Sequence, residues 1–375
     1  MIDNYRLPVS LSRKQAIVPS LMAQFTTLYS EDTEYSADSV EWCHEDDLHA
    51  KYFACGTYQL VEGAEDNAET GGKQRPRKGR VYLYQFDGES LERLQCIETA
   101  AILDMKWLPS WSSESGPILA TVTSLGQLET FELLRDKQIL EKRTCLELKE
   151  NKDVEPPLAL ALDWKQEGSA IQLAVSDSNG GLNLINYSPT GQLTLQKSWK
   201  CHGFEAWTCA FDRWSPHVLY SGGDDMLLLA HDLRAPEEQK IWTNRAHMAG
   251  VTCLLSHPSH EHHLLTGSYD EQLRLFDTRA MKRPLAEVNL GGGIWRLKPH
   301  PLKKDLILTA CMYTNFSVVE LDAKSPELRL LGAYEEHKSI CYGADWAPTG
   351  DEALTMATCS FYDHKLCVTR VDLSN

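Results

Sequence analysis

The sequence predicts a seven-bladed β-propeller built from WD-type repeats. One repeat is visible from Leu264 to Asp277, where a short β-run is followed by a turn and by a strand that alternates apolar and polar residues. The turn carries Gly-Ser-x-Asp and the alternating strand ends in Phe276-Asp277, which is typical of a WD repeat. A second observation extends the pattern to the whole chain, because a similar innermost strand recurs seven times. The predicted class is therefore all-β.

Each repeat is aligned on the residue that ends its innermost strand. These residues are Trp42, Trp107, Trp164, Phe211, Ser256, Pro299 and Trp346. They lie 43 to 65 residues apart, at or above the ~40–45 residues of a WD blade. The second strands are predicted at YFACGTY, ILATVTS, LAVSDSN, VLYSGGDD, LLTGSYD, LILTACMY and LTMATCS. The third strands are predicted at RVYLYQF, LETFEL, LNLINY, LLLAHD, LRLFD, FSVVEL and KLCVTRV.

The last repeat lacks sequence for its own outer strand. We predict that Leu21 to Tyr29, which has strand-like composition, pairs with this blade and closes the ring, because closure removes exposed sheet edges. The propeller is then a single domain over residues 21–375, preceded by a tail at 1–20. Residues 62–79, acidic and then basic without large apolar side chains, are predicted to be a disordered insertion.

Composition excludes several classes of function. There are 53 acidic against 37 basic residues, a formal charge of −16, which disfavours direct nucleic-acid binding. No window approaches the ~18 apolar residues of a membrane span, and the N-terminus has no apolar signal region. The eleven cysteines form no CxxC pair and are best explained as reduced thiols. We therefore expect a cytoplasmic monomer.

A narrower resemblance spans most of the chain. The segment TGSYDEQLRLFDTRAMKRPLA leading into GGGIWRLKPHP resembles the diphthine methylesterase family, the WD-repeat members of diphthamide biosynthesis. Further segments similar to that family follow in the expected order: TEYSADSVEW, ACGTYQL, AILDMKW, HGFEAW, YSGGDD, ACM and YGADW. The resemblance implies an ester hydrolase that removes the methyl ester of methylated diphthine on translation elongation factor 2, releasing methanol. No cofactor is expected.

The sequence leaves a non-catalytic alternative open. WD propellers are commonly binding platforms, so the chain is also compatible with an adaptor that presents elongation factor 2 to another diphthamide enzyme. The sequence contains no GxSxG elbow, no HExxH and no Cys/His quartet. The His260-Glu261-His262-His263 cluster is interpreted as a solvated loop, and no metal site is predicted.

Without a nucleophile elbow, we expect water activated by a general base. The candidate bases are His202, Asp177, Asp224 and Glu205, with His202 first because its ordinary pKa, near 6.5, suits neutral pH. The candidates that stabilise the oxyanion are Arg296 or backbone N–H groups. A structural role competes for His202, because a histidine, a Ser/Thr and a turn Asp commonly form a buried network within WD blades. In blade four this network would be His202, Ser221 and Asp225, and in blade five His247, Thr266 or Ser268, and Asp270.

The position four residues before the aligned residue is the candidate binding site. In the seven repeats it is occupied by Asp38, Leu103, Leu160, Trp207, Thr252, Trp295 and Tyr342. Three of these residues are aromatic: Trp207, Trp295 and Tyr342. Strand periodicity favours their packing between blades, whereas their position at the beginning of the strand, near the axis of the ring, favours convergence of the three rings. The substrate implied by the resemblance carries a trimethylammonium group. We therefore predict that Trp207, Trp295 and Tyr342 form an aromatic cage for this cation, assisted by the carboxylate of Asp38 or Glu205.

Overall fold

A computed structural model describes eight stretches of the chain, and every regular element in them is a β-strand. The described residues are 21–44, 52–61, 77–108, 116–148, 156–168, 170–235, 239–348 and 354–374. They form seven antiparallel sheets arranged as the blades of a propeller, which confirms the predicted fold class. Among these residues, no helix is long and apolar enough to cross a membrane.

The strands follow one another blade by blade after an initial closing strand, β1 (Met22–Asp32). Blade one contains β2 (Ala37–Trp42), β3 (Tyr52–Thr57), the short β4 (Gln59–Leu60), β5 (Arg77–Phe86) and β6 (Leu91–Ala100). Blade two contains β7 (Ile102–Leu108), β8 (Ile118–Thr123), β9 (Gln127–Leu134) and β10 (Ile139–Glu147). Blade three contains β11 (Ala159–Glu167), β12 (Ala170–Asp177), β13 (Gly181–Tyr187) and β14 (Leu193–Lys200).

The remaining four blades repeat the same meander. Blade four contains β15 (Thr208–Phe211), β16 (Val218–Gly222), β17 (Leu228–Asp232) and β18 (Lys240–Asn244). Blade five contains β19 (Val251–Ser256), β20 (His263–Ser268), β21 (Gln272–Asp277) and β22 (Ala286–Asn289). Blade six contains β23 (Ile294–Pro299), β24 (Leu306–Cys311), β25 (Asn315–Asp322) and β26 (Glu327–Tyr334). Blade seven contains β27 (Cys341–Trp346), β28 (Leu354–Ser360) and β29 (Lys365–Ser374), with β1 outermost.

The aligned residues end five of the seven innermost strands, as the repeat spacing predicts. Strands β7 and β11 run slightly further, to Leu108 and Glu167. The core lies between blades, where large side chains such as Trp42, Phe211 and Trp346 are fully buried. Burial of this kind stabilises by roughly 1.5–3 kcal/mol per large side chain, so packing between blades is the main source of stability.

A β-bulge recurs near the beginning of six innermost strands. In each of these blades the register shifts at the position four residues before the aligned one, as between Ala37 and Ser39 or between Ile294 and Arg296. The bulged residues are Asp38, Leu103, Leu160, Thr252, Trp295 and Tyr342. A bulge leaves one residue outside the ladder and redirects its side chain. The period-two argument for packing between blades therefore fails at this position.

The ring is closed by β1. It pairs antiparallel with β29, from Met22↔Ser374 to Asp32↔Lys365. Compared with the predicted segment, Leu21 to Tyr29, β1 begins one residue later and ends three residues later. Its inner side packs on blade six, where the Phe25 and Tyr334 rings are 5.7 Å apart. The predicted tail, residues 1–20, lies outside the described residues, as does 62–76 of the predicted insertion. Residues 77–79 instead belong to β5, because Arg77 and Lys78 pair with Leu60 and Gln59 of β4.

Five cysteines in the first two strands of blades four to seven are buried free thiols. They are Cys209, Cys253, Cys311, Cys341 and Cys359. Burial raises the pKa of the Cys253 and Cys311 thiols to about 12 and about 11, respectively, so both remain protonated at neutral pH. These cysteines act as small apolar core residues.

Removal of β1 is expected to destabilise the ring strongly. A chain that begins at Thr33 loses a full ladder and the burial around Phe25 and Tyr29, roughly 5 kcal/mol of apolar burial. We expect the Tm to fall by about 7 °C or more relative to a chain that begins at Leu21. Differential scanning calorimetry compares the two truncations, and equal Tm values would contradict the role of β1 in closure.

Candidate functional site

An axial cavity, here called the channel, is surrounded by the innermost strands, which begin at one face of the ring, the upper face, and end at the other, the lower face. The residue just before each aligned position lines a cavity of about 420 Å³ that opens toward the lower face. These channel residues are Glu41, Lys106, Asp163, Ala210, Leu255, Lys298 and Asp345. The cavity reaches upward to Asp104 and Arg296. The innermost strands therefore place polar side chains along the axis.

Four aromatic rings converge at the upper face, where the innermost strands begin. The Trp207 and Trp295 ring centroids are 5.7 Å apart, and those of Trp295 and Tyr342 are 5.1 Å apart. Tyr269 is the fourth ring, 6.2 Å from Trp207 and 6.1 Å from Trp295. Because these residues come from blades four to seven, the rings meet as predicted for Trp207, Trp295 and Tyr342. All four remain partly exposed. We call this group the aromatic cluster.

Two glycines allow Tyr269 to join the aromatic cluster. A Cβ added at Gly250 would lie 3.1 Å from the Tyr269 ring, and one at Gly293 would lie 3.2 Å from it. Larger residues in these two loops would therefore displace the ring. Tyr269 was missed in the sequence, because it lies in the turn after β20 rather than on an innermost strand. The available signal was an aromatic residue immediately before the turn residue Asp270.

Asp38, from blade one, supplies a buried carboxylate beside the aromatic cluster. Within the described part of the chain no group donates a hydrogen bond to it. Burial raises the pKa of Asp38 to about 7, the positive charge of Arg296 opposes that rise, and the negative charge of Asp104 adds to it. Asp38 also raises the pKa of Tyr342, after the larger effect of that residue's own burial. A carboxyl group near half-ionisation at neutral pH can exchange a proton.

Arg296 lies below the aromatic cluster, with its guanidinium carbon 6.0 Å from the Trp295 ring centroid. Its Nη2 is 3.1 Å from the Asp104 carboxylate and donates to the Leu103 carbonyl at 3.0 Å. Of the five N–H bonds of an arginine, three remain on Nε and Nη1. These make no hydrogen bond to the described residues. The buried cation is thus held by one edge, and its other edge is available to an anionic group.

The candidates Asp224 and Glu205 orient the aromatic cluster. The indole Nε1 of Trp207 donates to Asp224 Oδ1 at 3.0 Å, and the backbone N–H of Asp224 donates to the Glu205 carbonyl at 2.9 Å. After burial, the charges of Asp224 and Glu205 contribute to raising the pKa of Tyr269. Both carboxylates are therefore near the rings, and Asp224 fixes the orientation of Trp207.

His202 instead occupies the structural network of blade four. Its Nδ1 is 2.9 Å from Asp225 Oδ1 and its Nε2 is 2.8 Å from the Ser221 hydroxyl, so both ring nitrogens are engaged. The ring is fully buried. Blade five repeats the arrangement with His247, Thr266 and Asp270. The network predicted from the WD pattern is present in both blades, and the geometry leaves His202 no nitrogen with which to activate water.

Asp177 also has a local structural role. Its Oδ1 accepts the backbone N–H groups of Asn179 and Gly181, both at 2.9 Å, while its Oδ2 accepts from the Asn183 side chain at 3.0 Å. The side chain is buried within this turn. Asp177 therefore caps the turn between β12 and β13, and its carbonyl accepts the N–H of Ala206, the residue before Trp207, at 3.1 Å.

Carboxylates on the innermost strands also bridge neighbouring blades. Asp104 Oδ2 accepts the backbone N–H of Leu162 at 3.0 Å, and Asp163 Oδ2 accepts that of Phe211 at 2.8 Å. Asp345 Oδ2 accepts that of Trp42 at 2.8 Å across the ring closure. The Lys298 ammonium donates to Glu41 and lies 4.0 Å from Asp345. The channel charges are thus largely engaged in holding blades together.

One group of potential metal ligands is found among the described residues, on the lower face: His257, His260 and Asp305. His257 Nδ1 accepts the backbone N–H of Ser259, so its Nε2 carries the proton and donates to the Lys304 carbonyl at 3.0 Å. His260 Nε2 is 2.7 Å from Asp305. A protonated Nε2 has no lone pair for a cation, so these side chains form a hydrogen-bonded clamp between two loops.

Comparison with known proteins gives consistent results. Residues 238–277 match the family model "WD domain, G-beta repeat". The chain is 37% identical over 340 residues to the mouse protein named diphthine methyltransferase, covering 85% of this chain and 69% of that protein. The human diphthine methyltransferase is 38% identical over 346 residues, with coverage of 85% and 74%. A Dictyostelium discoideum diphthine methyltransferase homolog is 33% identical over 374 residues, with coverage of 89% and 96%.

A solved structure supports the architecture. A chain from the crystal structure of the mitotic checkpoint complex superposes with a TM-score of 0.66 at 15% identity, covering 99% of this chain and 98% of that one. At this identity the likeness concerns the fold alone.

Substitution of Asp38 by Asn is expected to make stability less dependent on pH. Folding raises the pKa of Asp38, so the protonated side chain stabilises the folded state. This contribution to the free energy of unfolding is complete below pH 4 and is lost as pH rises through 7. The free energy of unfolding of Asp38→Asn, relative to that of the native chain, should therefore increase by roughly 2 kcal/mol between pH 5.5 and pH 8. Urea denaturation at both pH values measures this, with exposed Asp372→Asn as control. A constant difference would show that Asp38 ionises normally.

Proposed function

Because this chain belongs to the diphthine methyltransferase family, we propose that it hydrolyses the methyl ester of methylated diphthine on translation elongation factor 2. It is a diphthine-modifying enzyme of diphthamide biosynthesis. The products of the proposed reaction are diphthine and methanol, and the proposed site of action is the cytoplasm, where the enzyme works as a monomer. The observation that carries the proposal is the buried Asp38 carboxylate beside four converging aromatic rings.

The aromatic cluster suits the cationic part of this substrate. Its side chain bears a trimethylammonium group next to the ester, and such a cation cannot donate a hydrogen bond. Ring faces attract it by roughly 0.5–2 kcal/mol per ring, depending on desolvation. Asp224 and Glu205 add negative charge near Trp207 and Tyr269. We therefore assign cation binding to Trp207, Tyr269, Trp295 and Tyr342.

Binding of the cation places the ester close to Asp38 and Arg296, because the two groups are neighbours on the substrate. Ionised Asp38 takes a proton from water as the water oxygen bonds to the ester carbonyl carbon. The tetrahedral oxyanion is stabilised by the N–H groups of Arg296 that are not bonded to Asp104 or Leu103. The bond from carbon to the methoxy oxygen then breaks, and Asp38 returns its proton to that oxygen. One water is consumed and one methanol is released.

This assignment changes the sequence-based roles. Asp38, first predicted only to bind the cation, is the proposed base, and Arg296 keeps its predicted role. Asp224 and Glu205 orient and attract rather than transfer protons. His202 and Asp177 are assigned no step, because their hydrogen bonds are used within blades.

One experiment separates hydrolysis from an adaptor role and from methyl transfer. The purified chain is incubated with elongation factor 2 that carries the methyl ester, in water enriched in heavy oxygen, and the modified peptide is analysed by mass spectrometry. Hydrolysis at the carbonyl carbon predicts loss of one methyl group and entry of heavy oxygen into the carboxylate. Retention of the ester would favour the adaptor. Loss of the methyl group without heavy oxygen in the carboxylate would indicate transfer of the methyl group itself.

The activity should follow the ionisation of Asp38. Since the base acts when deprotonated, kcat/KM should rise by about tenfold per pH unit below pH 7 and level off above it. The bound cation favours ionised Asp38, so the pKa in the pH profile of kcat should be lower than the pKa in the profile of kcat/KM. Asp38→Asn should reduce kcat by at least about 100-fold, while Asp372→Asn should not. Undiminished turnover by folded Asp38→Asn would exclude Asp38 as the base.

Trp295 tests the aromatic cluster. Trp295→Leu keeps an apolar side chain but removes the ring face that contacts Trp207 and Tyr342. A loss of roughly 0.5–2 kcal/mol corresponds to a 2- to 30-fold higher KM, with the Tm unchanged. The matched control is Trp214→Leu, which alters an exposed tryptophan on the lower face. If folded Trp295→Leu retained the native kinetic constants, Trp295 would serve packing alone.

A further inference from the structure

The upper face carries exposed apolar side chains that the proposed reaction does not use. They surround the aromatic cluster on loops of blades four to seven, and we call them the outer rim. Its members are Phe204, Met226, Met248, Tyr313 and Tyr362. Four of them are between 63% and 78% exposed, more than any other large apolar residue in the described chain. Such a concentration on one face of a monomer is typical of an interaction site.

Backbone strain shows that this exposure is costly to the fold. Tyr313 has φ 66° and Met226 has φ 62°, in the left-handed region that bulky residues avoid. The corresponding turns of blades two and three use Gly126 and Gly180 at φ 64° and 80°, and those of blades five and seven use polar residues at positive φ. Glycine therefore satisfies this turn without strain, and only Met226 and Tyr313 among the described residues of these turns combine positive φ with an exposed apolar side chain. Strain of this kind is characteristic of functional positions.

The outer rim is continuous with the aromatic cluster. The Tyr362 ring lies 5.0 Å from Phe361, which lies 5.4 Å from Tyr342 of the cluster. On the opposite side, Phe204 precedes Glu205, whose carbonyl accepts the N–H of Asp224, the residue that holds Trp207. A molecule seated over the rim would therefore hold its central side chain over the rings.

The charge of these loops indicates the chemistry of the partner. Outside the buried histidine networks, the upper-face loops of blades four to seven carry six carboxylates against two basic side chains, Arg245 and Lys338. The carboxylates are Glu205, Asp224, Glu271, Glu335, Glu336 and Asp363, and Lys365 of β29 pairs with Glu336. An acidic surface repels nucleic acid and anionic lipid and attracts a basic protein surface. The apolar rim within it requires apolar side chains on the same partner.

We propose that the outer rim docks the folded protein that carries the trimethylammonium side chain, through an apolar and basic surface around that side chain. This rests on the proposed function and adds a recognition step to it. The enzyme reads the surface of a folded protein, and the aromatic cluster then takes the modified side chain from its centre. A short peptide with the same side chain reaches the cluster but gains nothing from the rim.

The test uses Tyr313→Gly and Met226→Gly, which relax the strained turns, together with Phe204→Ser and Met248→Ser. Ile241→Ser, at a half-exposed position on the outer strand β18, is the control. We expect the glycine variants to have an equal or higher Tm. The KM for intact methyl-ester protein should rise by about tenfold or more, with kcat unchanged. Turnover of a short methyl-ester peptide and all constants of Ile241→Ser should stay native.

The opposing results are distinct. An unaltered KM for the intact protein, or an equal rise for protein and peptide, would overturn docking on the rim. If the rim variants kept the native KM for the intact protein but no longer bound anionic vesicles, the rim would be assigned to a membrane. If they kept that KM but no longer self-associated in sedimentation, the rim would be assigned to a second copy of the chain. If the native chain hydrolysed no ester, the proposed function would be wrong, and docking would be judged separately. Direct titration of the intact protein with native and rim variants would then decide docking, and equal affinities would reject it.

Discussion

The carboxylate bridges between innermost strands are the interaction on which this propeller depends. Asp104, Asp163 and Asp345 each accept a backbone N–H from the next blade. Such a bond fixes the spacing and the relative height of two sheets that share no ladder. It also places charge on the axis, which must be compensated because these side chains are buried. Lys106, Lys298 and Arg296 supply that compensation. The polar channel is therefore a consequence of how the blades are joined.

The bulges explain why a structural scaffold of this type can carry a site. Six innermost strands release one residue from the ladder at the same height, just above the layer of charges. Packing between blades does not dictate what stands there. Three blades place Leu or Thr at this position, whereas Asp38, Trp295 and Tyr342 are placed where they meet above Arg296. The residue type at this position can thus change without altering the core.

Local pattern was sufficient to predict the strands, since alternation and turn residues act over a few positions. It also predicted Trp207, Trp295 and Tyr342, because aligning the repeats aligns their heights. Tyr269 was missed because it reaches the cluster from a different strand turn, past Gly250 and Gly293. His202 was ranked first on its ordinary pKa, but its partners Ser221 and Asp225 determine its role. The properties of Asp38 depend on what surrounds it in blades two, six and seven, and only the folded ring supplies that environment.

Closure through β1 links completion of the fold to completion of the site. Asp38 follows β1 directly, and Tyr342 begins the blade to which β1 is added, so these two residues lie at opposite ends of the chain and meet only across the closure. During synthesis the ribosome delivers blades one to six before the last blade exists. An unfinished chain therefore has neither the fourth ring nor the shielded carboxylate. The four rings and the shielded carboxylate are therefore complete only once the two ends have joined.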